Sequence, residues 1–189
     1  MKNRMIHAAA SCAALPLALL AQSQVPTDVT LEMTPKLTRM SLMVRLVTTT
    51  TLVQGWSFGI CHAPENASII DAQPADELNF LLNGQPVGYL SYHITEHGVT
   101  LGVVVGSVDP ERPTPPVDVG PYPDGLPLLH VSYEVRAQSP VSFCETLGSP
   151  PVSITVVSDG VSVKPNKEEA TLLMPDYAQD LSFTITNTG

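Results

Sequence analysis

Short segments of alternating apolar and polar residues are the feature that most constrains the fold of this chain. In the clearest of them, residues 128–136, every second residue is apolar (Leu129, Val131, Tyr133 and Val135). The same period of two recurs at 40–47, 53–60 and 99–105, and residues 154–163 suggest a hairpin turned at 158–160. Such alternation places one face of a strand on a core and the other in water. The sequence therefore predicts many short strands.

Helical signals are few. Residues 75–83 and 167–173 favour short helical turns, and neither segment is long enough to be the crossover of a parallel sheet. The sequence therefore predicts an all-β chain, an antiparallel β-sandwich with its two sheets packed face to face. Seven prolines between 109 and 127 predict a long loop there, because proline cannot donate a hydrogen bond to a ladder.

The N-terminal 23 residues have the pattern of a secretory signal peptide. Lys2 and Arg4 precede an apolar stretch at 8–21, and Ala21-Gln22-Ser23 is typical of a cleavage site before Gln24. The stretch is too short to be a retained anchor. A lipoprotein site at Cys12 is disfavoured because Ala9-Ala10-Ser11 lacks the usual leucine. We predict a secreted, extracellular or cell-envelope protein, with a domain at 24–175 and a tail or edge strand at 176–189.

Two cysteines, Cys61 and Cys144, remain once the signal peptide is removed. Both end strand-like segments, and in an exported chain such a pair is most simply one disulfide. A redox-active or metal-binding pair would need close spacing or histidines in register. We therefore predict a disulfide between distant segments.

The charge of the chain narrows the class of partner. The formal net charge is −9, and it becomes −11 when Lys2 and Arg4 leave with the signal peptide. Nucleic acid and anionic membranes both require a basic surface, so the sequence argues against them as partners. An acidic surface also serves simply to keep an exported domain soluble.

One catalytic motif occurs in the sequence. Gly55-Trp56-Ser57-Phe58-Gly59 matches G-x-S-x-G, in which Ser57 would be a nucleophile with Asp71 and His130 as its partners. That motif requires a helix directly after the serine, whereas Ile60-Cys61-His62-Ala63-Pro64 follows here. A strand fits better, with the small residues letting a neighbouring segment lie close. We therefore predict no catalytic residues and no enzyme.

Cofactor and ligand motifs are weak. The histidines at 62, 93, 97 and 130 lack zinc spacing and are predicted to lie on the surface. Acids of the proline-rich loop (Asp109, Glu111, Asp118 and Asp124) leave calcium as an alternative, although they lack the order of an EF-hand loop. Asn66-Ala67-Ser68 is an N-glycosylation triplet. The aromatic residues available to stack on sugars are few (Tyr89, Tyr92, Tyr122 and Tyr177), and Trp56 is predicted to be buried. No metal or cofactor is predicted.

Three strings carry a family resemblance: VQGWSFGICH at 53–62, GVTLGVV at 98–104 and SFCETLGSPPV at 142–152. They resemble secreted bacterial proteins with cohesin-like modules, and the resemblance covers about 27–175. It implies a jelly-roll or immunoglobulin-like β-sandwich similar to carbohydrate-binding modules. Cohesins bind dockerin modules through one sheet face, in assemblies that degrade polysaccharides.

The resemblance implies a secreted, non-catalytic binding or scaffolding module that recognises a dockerin-like protein in a polysaccharide-related assembly. No binding residue can be carried over to this chain, because cohesin interfaces have no short motif. Two alternatives stay open. One is a carbohydrate-binding module, whose partner is a polysaccharide, and the other is a structural envelope protein without a soluble ligand.

Overall fold

A computed structural model describes residues 28–36, 40–106 and 117–174. The predicted signal peptide, residues 109–116 of the predicted loop and the segment 176–189 lie outside the described residues. No helix within these ranges is long and apolar enough to cross a membrane.

Twelve strands and one short 3₁₀ helix at Asp76–Asn79 make up the described chain. The first six strands are β1 (Val29–Pro35), β2 (Ser41–Thr48), β3 (Gly55–Cys61), β4 (Ala67–Pro74), β5 (Tyr89–Thr95) and β6 (Gly98–Val104). The other six are β7 (Tyr122–Val135), β8 (Ser139–Cys144), β9 (Thr155–Ser158), β10 (Val161–Val163), β11 (Asn166–Glu168) and β12 (Ala170–Leu172).

The strands form two sheets. One has the order β11-β1-β2-β7-β4, and the other has the order β10-β9-β3-β6-β5 with β8 joined to β3 and β12 joined to β8. All pairs are antiparallel except β1 with β11. We call the two sheets the five-stranded sheet and the seven-stranded sheet. The predicted all-β, mainly antiparallel sandwich is confirmed.

The core lies between the sheets and follows the predicted alternation. On β2, β3, β6 and residues 129–135 of β7 the large side chains are buried at every second position, which contributes much of the core (Leu42, Val44, Leu46, Trp56, Phe58, Ile60, Val99, Leu101, Val103, Leu129, Val131 and Tyr133). The predicted hairpin at 154–163 is also present as β9 and β10. Burial of this apolar surface is the main force that holds two such sheets together.

The proline-rich loop is shorter than the sequence predicts, because β7 begins at Tyr122 rather than at 128. Among the residues that the structure describes, 122–127 pair only with β2, whereas β4 joins the other side of β7 from Leu129 onward. Proline is tolerated where a strand has a free side or an irregular register. Both conditions hold here, since the β2–β7 register shifts twice and Gly125 has a φ of 81°.

The two helical predictions differ in outcome. The segment 75–83 contains the short 3₁₀ helix, whereas the helical turns predicted for 167–173 are wrong. Residues 166–168 pair with β1 and residues 170–172 pair with β8. Pairing with strands from distant parts of the chain overrides the local helix propensity of Lys167-Glu168-Glu169-Ala170.

Candidate functional site

The candidate site is a groove on the outer face of the seven-stranded sheet. Its volume is about 490 Å³, and it lies over β9, β3, β6 and the start of β5. Period-two alternation creates it, because Trp56 and Val103 point into the core and leave Gly55, Ser57 and Gly102 facing outward. The middle of the sheet therefore has only small outward side chains on this face, which leaves a depression. We call this feature the sheet groove.

Gly102 forms the floor of the sheet groove. A Cβ atom built on it would meet no heavy atom within 4 Å, so the space above this residue is open. The neighbouring glycines of β3 differ. A Cβ on Gly55 would lie 2.7 Å from the Val103 carbonyl oxygen, and one on Gly59 would lie 2.7 Å from the Cys144 carbonyl oxygen. This confirms the prediction that the glycines of β3 let neighbouring backbone lie close.

Three apolar or aromatic side chains and one threonine flank the floor. On the β5 side Tyr89 and Val104 are exposed, and on the β9 side Thr155 and Val157 are half-buried. Grooves with apolar walls and a few polar groups are typical binding sites. The sequence pattern did not identify this groove, although small outward residues on two paired strands are the signal that could have done so.

Gln54 joins two segments at one end of the sheet groove. Its Nε2 donates to Asp118 Oδ1 at 2.9 Å, and its Oε1 accepts from the Gly160 N–H at 2.9 Å. The backbone of Val53 also pairs with Val119. These contacts hold the described end of the proline-rich loop against the turn between β9 and β10, so the end wall of the groove is fixed by several hydrogen bonds.

The predicted absence of a catalytic triad is compatible with the geometry. Ser57 lies in the middle of β3, and its hydroxyl donates to the Ser153 carbonyl at 2.6 Å. Asp71 and His130 lie on β4 and β7, in the opposite sheet. The three residues are not brought together, and Ser57 lies on a strand rather than on a strand-to-helix turn.

The disulfide is present and joins two paired strands of the same sheet. Cys61 ends β3 and Cys144 ends β8, with 5.9 Å between their Cα atoms and a sequence separation of 83 residues. Both side chains lie opposite the buried parity of their strands, to which Ile60 and Phe143 belong. The bridge stands on the outer face at the opposite end of β3 from the sheet groove.

One histidine is not where the sequence placed it. His62 is buried at 7% exposure, and its ring packs edge-on against Tyr133 with 5.3 Å between the ring centroids. His62 follows Cys61, the last residue of β3, and at this position its side chain lies between the two sheets. Burial lowers the pKa of His62, and nearby His97 and Arg136 lower it further. The prediction of a surface residue is wrong for His62 and correct for exposed His93 and His97.

The residues considered for sugars and metals do not converge. Tyr89 and Tyr92 point to opposite sides of β5, Tyr122 is half-buried, and Tyr177 lies outside the described residues. The indole of Trp56 is 2% exposed. No group of three or more histidine, cysteine or carboxylate side chains suited to a metal ion occurs among residues 28–36, 40–106 and 117–174. The calcium alternative for Asp109 and Glu111 concerns residues outside those ranges.

The fold is that of a cohesin-like β-sandwich. No protein-family model and no curated protein matches the sequence. The chain is similar to the solution structure of CaCohA2 from Clostridium acetobutylicum, at a TM-score of 0.50 and 11% identity over 79% of this chain and 93% of that one. It is equally similar to a complex of CaCohA2 with a variant of CaDoc0917, at a TM-score of 0.50 and 13% identity over 76% and 96%.

A further similar structure is the seventh ScaB type I cohesin from Pseudobacteroides cellulosolvens. Its identity is 7%, with 82% of this chain and 97% of that one covered at a TM-score of 0.49. At these identities the likeness concerns the fold. The resemblance expected from the sequence strings at 53–62, 98–104 and 142–152 is confirmed at that level.

Proposed function

We propose that this chain is an exported, non-catalytic module that binds a partner protein through the sheet groove. The partner we favour is a dockerin-like segment, since one of the similar structures is a complex of CaCohA2 with a CaDoc0917 variant. The observation that carries the proposal is the open, apolar-walled groove on the seven-stranded sheet. The polysaccharide-related setting of such an assembly is part of the proposal.

The shape of the groove suits a protein segment better than a catalytic reaction. Its walls are apolar, and its one outward hydroxyl in the floor, Ser57, is already bonded to the Ser153 carbonyl. Protein interfaces combine a desolvated apolar centre with a polar rim. Gln54 and Asp118 supply such a rim at one end.

Export is supported by the disulfide. Bridges between distant segments form and persist in oxidising compartments and are rare in the cytosol. A bridge between Cys61 and Cys144, together with the predicted signal peptide at 1–23, favours an extracellular or cell-envelope location.

The test introduces an arginine at two positions, one in the sheet groove and one on the opposite sheet as a control. Gly102→Arg places a long side chain in open space above the groove floor, where nothing lies within 4 Å of the Cβ position. Ser132→Arg adds the same side chain to an exposed position of β7 on the outer face of the five-stranded sheet. Both variants should fold, as thermal melting would check.

Each protein is immobilised in oxidised form and exposed to the secreted fraction of its host. We expect a saturable protein that the parent chain and Ser132→Arg both retain and that Gly102→Arg loses, with a drop in affinity of at least about tenfold. A partner retained equally by all three proteins would contradict the groove as the site. Retention of polysaccharide alone would indicate a carbohydrate-binding module instead.

A further inference from the structure

We propose that β5 is a homodimerisation edge, at which two copies of this chain pair antiparallel about Tyr92. β5 is the terminal strand of the seven-stranded sheet, and in the part of the chain that the structure describes it pairs only with β6. An unprotected edge strand presents a row of free N–H and C=O groups to another strand. This inference concerns the edge of the sheet and does not depend on the function proposed for its face.

The hydrogen-bond pattern shows which residues of β5 offer their backbone to a partner. His62 N–H donates to the His97 carbonyl at 3.1 Å, which makes Cys61 and Gly98 a non-hydrogen-bonded pair between β3 and β6. The backbone groups of Gly98 therefore point to Thr95 on β5. Because bonding alternates along an antiparallel ladder, the groups pointing away from β6 belong to Leu90, Tyr92 and Ile94.

The sequence of β5 is self-complementary about Tyr92. Antiparallel pairing centred there aligns Tyr92 with its own copy, Leu90 with Ile94 of the second copy, and Ser91 with His93 of the second copy. All three outward-bonding residues then meet outward-bonding residues. This register overlaps the whole strand Tyr89–Thr95, whereas centring on any other residue leaves part of it unpaired.

The side chains agree with this register. The aromatic ring of Tyr92 and the side chain of Ile94 are 44% and 40% exposed at the edge of the seven-stranded sheet. Pairing brings them together with Leu90 of the second copy on one face. Ile70 on the adjacent edge strand β4 is 68% exposed at the bulge between Ile69 and Asp71, and it flanks the same side of the sandwich. Cross-strand pairs of aromatic and branched side chains stabilise sheets.

Charge favours a second copy over a charged partner. Residues 89–95 contain no aspartate, glutamate, lysine or arginine, although the chain as a whole carries a net charge of −9. Like charges placed opposite each other would destabilise the pairing, and here none are. The remaining repulsion between two acidic copies acts over longer distances and is screened by salt. Dimerisation should therefore strengthen with ionic strength.

The proposed dimer has a consequence for the sheet groove. Antiparallel pairing about one residue is a two-fold rotation perpendicular to the sheet, so both copies present their outer faces on the same side. Two grooves would then open from one continuous sheet, and the dimer would offer a partner two equivalent sites.

The test combines oligomeric state with register-specific crosslinking. The oxidised mature chain, residues 24–189, is examined by sedimentation velocity at high micromolar concentration, where we expect a dimer. Tyr92→Lys places two ammonium groups face to face at the two-fold axis and should raise the dissociation constant at least about tenfold. The matched control His93→Lys adds the same charge to the outer face opposite Ser91 and should leave most dimer intact.

Tyr92→Cys and Ile94→Cys test the register itself. A hydrogen-bonded antiparallel pair has its Cα atoms about 5.5 Å apart, within the range that a disulfide spans. The Tyr92→Cys variant should therefore crosslink to its copy under mild oxidation. The two thiols introduced by Ile94→Cys would lie more than about 13 Å apart and should not crosslink. A monomeric parent chain, an unchanged dimer in Tyr92→Lys, or crosslinking of Ile94→Cys in place of Tyr92→Cys would each overturn the proposal.

Discussion

Two strands of the seven-stranded sheet, β3 and β5, are equal in length and opposite in environment. β3 pairs with β6, β8 and β9, buries Trp56 and Phe58, and ends in the disulfide. β5 pairs only with β6 among the described residues, and five of its seven side chains are exposed. The sheet thus has a central strand that is paired on both sides and closed by a disulfide, and an edge strand that is paired on one side among the described residues.

The difference separates what stabilises the sandwich from what is available for recognition. Free energy of folding comes mainly from buried apolar surface, which β3 has and β5 largely lacks. Exposed apolar side chains beside unpaired backbone are instead the features of an interaction surface. Side-chain changes on β3 should therefore act on stability, and those on β5 should act on assembly.

The largest loss of stability should come from a substitution in the central strand, β3. Phe58 is fully buried, and its ring meets Phe143 edge-on with 5.9 Å between the centroids. Phe58→Ala should lower the free energy of unfolding by about 3–5 kcal/mol, because it leaves a cavity between the sheets. Urea unfolding followed by tryptophan fluorescence would measure it.

Phe80→Ala is the matched control for that experiment. Phe80 is exposed after the 3₁₀ helix, so the same substitution should change stability by less than about 1 kcal/mol. Equal losses for the two variants would mean that the described core is not the source of stability.

The disulfide should give the next largest effect. Cys61→Ser and Cys144→Ser should each lower the free energy of unfolding by about 2–5 kcal/mol, since the bridge closes a long loop. The double variant should lose no more than either single variant, because each removes the same bond. Additive losses in urea unfolding would show that the cysteines contribute separately.

His62 at the end of β3 should give a smaller, pH-dependent effect. Its pKa is lowered in the folded protein, so the unfolded chain binds the proton more readily below about pH 6.5. Stability should therefore be full above that pH and decline as the pH falls toward the folded-state pKa. His62→Leu should flatten this decline, as urea midpoints between about pH 5 and 8 would measure. An unchanged slope would remove His62 as its cause.

The sequence predicted the centre of the fold better than its surface. Strict alternation at 128–136 and 53–60 identified the buried faces, since burial of one face is what produces that pattern. The pairing of Cys61 with Cys144 followed from there being two cysteines in an exported chain. These features depend on local pattern or on simple counting.

The sheet groove and the β5 edge were not predicted, because they depend on which strands become neighbours. Gly102 is a groove floor only because β3 beside it also turns glycine and serine outward. His62 was expected on the surface, since local sequence does not show that Tyr133 of the other sheet lies above it. Residues 167–173 were assigned helical turns for the same reason, as the strand partners of this segment are distant in sequence.

The smallest effect on folding should come from Tyr92 on β5. Its side chain is exposed at the sheet edge, so Tyr92→Ala should change the unfolding free energy of the monomer by about 0.5 kcal/mol or less. The measurement must be made at low protein concentration, because a dimer adds apparent stability by mass action. A loss above about 2 kcal/mol in the monomer would mean that β5 is packed by another part of the chain. The contrast with β3 would then fail, because both strands would belong to the core.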